Sequence, residues 1–107
     1  MAYYLVQVAY TPEAWAAQVK NPQNRLEAMR PIFQKLGGDI ESFWYAFGEY
    51  DVVGVGQFPD NVSAAALSLA ASAGGAVKAI KTTPLMTVEE GIAAMKKAAE
   101  AGYRPPS

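Results

Sequence analysis

The chain has 107 residues, 51% of them hydrophobic, and a formal net charge of −1. That length suits one domain that buries a core yet leaves much surface open, and the near-neutral charge argues against nucleic acid, whose phosphates call for a basic patch. Cysteine and histidine are both absent, which excludes disulfides, thiolate nucleophiles, Cys/His metal sites, His-ligated haem and every Ser-His or Cys-His catalytic pair. Any proton transfer falls to Asp, Glu, Lys, Tyr or water. No motif implies a metal or a cofactor, and none is expected. The opening MAYYLVQVAY has neither the basic start nor the long apolar stretch of a signal peptide, and no run approaches the ~18–20 apolar residues of a membrane span. A cytoplasmic protein without membrane contact is the expectation.

Residues 3–10 read as a strand rich in Tyr, Val and Leu that stops at Thr11-Pro12. Both of its alternating sets are largely apolar, so both faces of the sheet should be covered. Thr11-Pro12-Glu13 supplies a capping hydroxyl, a first-turn proline and an acid near the positive helix end. This helix should break at Asn21-Pro22 and restart with Leu26, Met29, Phe33 and Leu36 on one stripe. Pro31 inside that piece predicts a kink, or a start later than the stripe suggests, and Gly37-Gly38 ends it.

Residues 39–47 and 52–58 read as the second and third strands, joined by the four residues Gly48 to Asp51 in a hairpin. Gly54 and Gly56 share a face of the third strand, which marks a bulge or a close backbone approach. Asp60 or Asn61 should cap a slim helix whose body is VSAAALSLAASA. Residues 76–83 form the fourth strand, stopped by Pro84; its Lys78 and Lys81 suit an edge. Thr87-Val88-Glu89-Glu90 is a capping box before a last helix with Val88, Ile92, Met95 and Ala99 on one stripe. The domain spans residues 1–101, and 102–107 form a flexible tail.

The order βαββαβ plus a C-terminal helix is the α+β, ferredoxin-like arrangement. Right-handed crossovers place both main helices on one side of an antiparallel sheet. The other side would be a large apolar patch. A second copy packed face to face, giving a dimeric α/β barrel or a larger homo-oligomer, would cover it; so would the C-terminal helix of a monomer.

Three features are candidates for chemistry. In FGEYD, Gly48 supplies the positive φ of a turn and Asp51 a carboxylate to bond the turn backbone; Glu49 and Asp51 flanking Tyr50 would also suit a cation, an amine or a hydroxyl. The rings of Tyr3, Tyr4, Tyr10, Phe43, Trp44, Tyr45 and Phe47 lie on neighbouring strands, as core and interface or as the wall of an apolar pocket. Lys81, Thr82 and Thr83 are an edge-strand lysine before a proline stop, or an anion holder. The ligand-binding candidates are therefore Trp44, Tyr45, Glu49, Tyr50, Asp51 and Lys81; no residue is assigned as catalytic.

AFGEYDVV, the opening YYLVQVAYTPE and the run KTTPLMT resemble the GYD-domain family of small proteins, with Gly48, Tyr50 and Asp51 as the naming element. That resemblance implies a ferredoxin-like, dimeric-barrel fold and no settled activity. GEYDVV is also similar to the Gly-x-Tyr-Asp hairpin of effector-binding domains in Lrp/AsnC regulators, which implies a small-molecule site between subunits; their DNA-binding helix-turn-helix has no room here. The expected function is an oligomeric small-molecule-binding module. The alternatives are a cofactor-independent enzyme of monooxygenase or isomerase type acting on a small aromatic or carbonyl compound, and a purely structural oligomer. An enclosed pocket of roughly 300 Å³ or more bearing Tyr50, Asp51 or Lys81 would favour a ligand there, and a filled barrel the structural oligomer.

Overall fold

Each helix begins where its capping residue stands. The computed structural model describes residues 1–106, in the order β1 (Ala2–Tyr10), α1 (Pro12–Lys20), α2 (Arg25–Lys35), β2 (Asp39–Tyr45), β3 (Val52–Phe58), α3 (Asn61–Ala73), β4 (Val77–Leu85) and α4 (Val88–Glu100). Thr11 Oγ1 accepts from Ala14 N at 3.1 Å, Asn24 Oδ1 from Glu27 N at 3.0 Å and Asp60 Oδ1 from Ser63 N at 2.8 Å. Thr87 and Glu90 close the capping box in both directions, at 3.1 and 2.9 Å. Among the described residues, no helix is long and apolar enough to cross a membrane. Of the tail foreseen at 102–107, residues 103–106 have no regular structure and Ser107 lies outside the described residues.

Four expectations need correction. α2 starts at Arg25 and runs through Pro31 to Lys35, so no later start forms. The proline occupies an exposed position of the helix. The Schellman bonds predicted by Gly37-Gly38 close its end: Gly38 N donates to Phe33 O at 2.9 Å and Gly37 N to Gln34 O at 3.0 Å. β2 stops at Tyr45 rather than at Phe47, so residues 46–51 form a six-residue loop instead of a four-residue turn. Ala46 N donating to Asp51 O at 2.8 Å closes that loop, and Gly48 takes the foreseen positive φ, 133°. β4 does not stop at Pro84 but continues to Leu85. A proline is tolerated there because β4 is an edge strand, with one side free of ladder bonds.

The strands form one antiparallel sheet in the order β2-β3-β1-β4. With α2 and α3 packed on one side, this is the split-βαβ, ferredoxin-like arrangement of an α+β protein. The core lies between the helices and that side: Tyr4, Phe33, Phe58, Ala64 and Leu67 form one buried cluster. Phe58 is fully buried, stacked on Phe33 at 5.0 Å and edge-on to Tyr4 at 5.7 Å. Gly54 has the bulge and close backbone approach expected of it, whereas Gly56 makes room for a side-chain ring. A Cβ on Gly56 would stand 2.6 Å from the Phe33 ring, and one on Gly54 2.5 Å from the Ser42 carbonyl oxygen, where the β2 register shifts. Missing side chains thus let a helix and a bulge approach the sheet closely.

The opposite side of the sheet is bare. The register places Tyr3, Leu5 and Gln7 of β1 beside Val53, Val55 and Gln57 of β3 and Lys81, Thr83 and Leu85 of β4 on that side. α4 does not cover it, so the monomer with a C-terminal helix as lid is not what forms. None of α4's residues is buried, and Val88, Ile92 and Met95 all stand exposed. The chain measures 57 × 34 × 22 Å with a radius of gyration of 17.1 Å, against ~13 Å for a compact fold of about this length; the projecting helix accounts for the excess.

Candidate functional site

A cleft of about 270 Å³ opens between the helix side of the sheet and helices α2 and α3. It exists because both partners are slim where they face each other. Gly54 and Gly56 leave the floor without side chains, and α3 presents Ala70 and Ala71 beside Leu67, with Gly74 just past its end. Val6, Val8, Phe33 and Ile80 extend the apolar wall. Two polar groups stand out: the Tyr10 phenol on β1 and the Arg25 guanidinium at the start of α2. Burial pushes the Tyr10 phenol above its ordinary pKa, and Arg25 beside it pulls partly the other way. The hydroxyl is therefore a proton donor throughout the neutral range. Trp15 of α1 packs edge-on against the Tyr10 ring at 5.3 Å and fixes its position.

Of the six residues singled out from sequence, Tyr45 and Asp51 share one open depression, and the six do not form one site. Trp44 and Lys81 lie on the bare side of the sheet, at the two ends of one cross-strand row, Trp44–Val53–Gln7–Lys81. Three strand spacings separate them, roughly 14 Å. Tyr45 lies on the other side, near Trp15 at 6.4 Å and edge-on to Phe43 at 5.7 Å. Glu49 is exposed at the loop tip and Tyr50 is half-buried. Asp51 contributes, with Trp15, Tyr45, Phe47 and Gly48, to an open depression outside the cleft. None of Tyr50, Asp51 and Lys81 lines the cleft itself. Strand alternation also splits the run Lys81-Thr82-Thr83. Thr82 turns to the helix side, where its hydroxyl is 2.8 Å from that of Ser68, while Lys81 and Thr83 face the other way.

Asp51 has a definite job, different from the turn bond expected of it. Its backbone N donates to Val8 O at 2.7 Å, and its Oδ2 accepts from Tyr10 N at 2.8 Å. The β1–β3 ladder ends at the pair Val8–Val52, and the carboxylate then takes the place of the next strand carbonyl. Asp51 thereby holds the end of β1 that carries Tyr10. The naming element of the loop thus reaches the cleft through the backbone.

Arg25 and the role of Tyr10 are not evident in the reading from sequence. A signal was present: Arg25, Met29 and Phe33 follow at i, i+4 and i+8, which sets the arginine on the apolar stripe of α2. An α+β sheet with a cleft under its two crossover helices defines a ferredoxin-like domain. The GYD domain model matches residues 4–95, and the chain belongs to the GYD-domain family. Searches of curated proteins and of solved structures return no match.

Proposed function

We propose that the chain is a cytoplasmic, homo-oligomeric small-molecule-binding module whose ligand occupies the cleft under α2 and α3. The observation that carries this reading is the cleft itself. At about 270 Å³ it falls just below the usual range for ligand pockets, roughly 300–1,000 Å³. Its mostly apolar wall with a few polar groups is the usual build of a ligand site. The Asp51–Tyr10 contact supports a positioning role for the FGEYD loop rather than direct ligand contact.

Self-association rests on the bare side of the sheet. That face measures roughly 19 Å by 25 Å from strand spacing and rise, about 475 Å² in plan, which is short of the ~800 Å² per partner of a stable interface. The exposed stripe of α4 adds roughly 200 Å² from its length and width, which brings the plan area to about 675 Å², nearer to that value but below it. A second copy offers the same two surfaces in return, as a twofold dimer requires. Native mass spectrometry of freshly purified protein tests both parts at once. The expected spectrum shows a dimer or larger assembly carrying a small organic molecule. A ligand-free monomer at micromolar concentration would count against both parts.

A further inference from the structure

We infer that the cleft takes a small apolar monocarboxylate, its carboxylate held by Arg25 and the Tyr10 hydroxyl and its body by the apolar walls. The inference rests on the cleft being the binding site and adds the chemical class of the ligand. Among all the residues lining the cleft, Arg25 is the one that carries a charge, and no Asp, Glu or Lys is among them. Arg25 is half-buried, yet among the described residues it forms no ion pair; the pair that α2 does make is Arg30 with Asp39, at 2.9 Å. The side-chain contact of the Arg25 Nη2 is a donation to Met29 Sδ at 3.6 Å, and thioether sulfur is a weak acceptor. A guanidinium has five N–H donors in a planar fork, so donors remain for a ligand at the wall of an apolar cavity.

That arrangement selects. A partly desolvated cation without a counter-ion is unfavourable, and a carboxylate answers it with two parallel, charge-assisted bonds. The protonated Tyr10 phenol adds a third donor from the neighbouring strand. A cationic ligand would be repelled by Arg25 and finds no acid on the wall. A phosphate dianion finds a single positive charge, and its oxygens would face Val6, Val8 and Leu67. The volume of about 270 Å³ corresponds to about nine water-sized groups at ~30 Å³ each, which is the size of a benzoate or a short branched acid.

The test is an amide-detected NMR titration of the intact chain with benzoate, benzyl alcohol and inorganic phosphate. Benzoate is expected to move the signals of Val6, Gly54 and Leu67, with a Kd at least about tenfold below that of benzyl alcohol, and phosphate to move none of them. Arg25→Gln should raise the benzoate Kd to that of benzyl alcohol and leave benzyl alcohol unaffected. Tyr10→Phe should weaken benzoate by a smaller factor. Equal affinity for benzoate and benzyl alcohol, or unchanged benzoate binding in Arg25→Gln, would overturn the carboxylate assignment and leave the cleft standing as a neutral apolar site. Silence of the cleft signals toward all three probes would remove the binding reading as well. Should Arg25→Gln lose its fold, the benzoate-to-benzyl-alcohol ratio on the unaltered chain still decides.

Discussion

Along β1, Tyr4 is 3% exposed and Tyr3, its neighbour on the other side of the sheet, is 38% exposed. Both sides of this sheet carry tyrosine and valine, but the bare side also carries Gln7, Gln57, Lys81 and Thr83 among its apolar residues. The helix side is closed by α2 and α3 around Phe58, with a cleft left where glycines and alanines meet. The other side still exposes Tyr3 and Leu85 and has no cover within the chain, although α4, the helix with the clearest apolar stripe, was available to supply it. Slim, weakly patterned α3 is the one that buries Ala64 and Leu67. An apolar stripe therefore says that a helix wants a partner, while chain geometry decides whether the partner lies in the same molecule.

Substitutions at three positions probe this contrast. The largest effect is expected on the closed side. Phe58→Ala removes a fully buried ring from between Phe33 and Tyr4 and should cost about 3–5 kcal/mol in denaturant unfolding; a loss below about 1 kcal/mol would mean that the helix side is as loosely packed as the bare one. An intermediate effect is expected at the seam between loop and sheet. Asp51→Ala leaves the Tyr10 N–H without its 2.8 Å acceptor and should cost about 1–3 kcal/mol, whereas Asp51→Asn keeps an acceptor oxygen and should cost less. Equal losses for the two would point to the charge, not the acceptor. The smallest effect is expected on the bare side. Val53→Lys should change the stability of the dissociated chain by no more than about 0.5 kcal/mol, yet shift sedimentation toward monomer. If it destabilises the isolated chain as Phe58→Ala does, the bare side is covered from within.

Much of the fold was legible residue by residue. Caps at Thr11, Asp60 and Thr87, the stop at Gly37-Gly38 and the two-residue period of the strands are local rules, because a helix start or a strand face is settled by backbone bonds and sterics within a few positions. The strand ends near Phe47 and Pro84 were less legible. Both depend on what lies beside the strand: Asp51 leaving β3 to bond β1, and the free side of edge strand β4. The candidate site was the least legible part. Alternation turns Tyr45 to the opposite face from Trp44 and Lys81, and the strand order sets those two at the far ends of one row.

The sequence by itself determined the order of elements, the glycine contacts, the apolar character of both sheet sides and membership in the GYD-domain family. Only the tertiary structure set Asp51 against Tyr10, 41 positions away, brought Arg25 to the same cleft wall as Tyr10 and left α4 and one sheet face without cover. The reason is physical. Element type follows from short-range hydrogen bonding and side-chain period. Which side chains meet follows from the pairing order β2-β3-β1-β4, a long-range choice made by burial of the whole core.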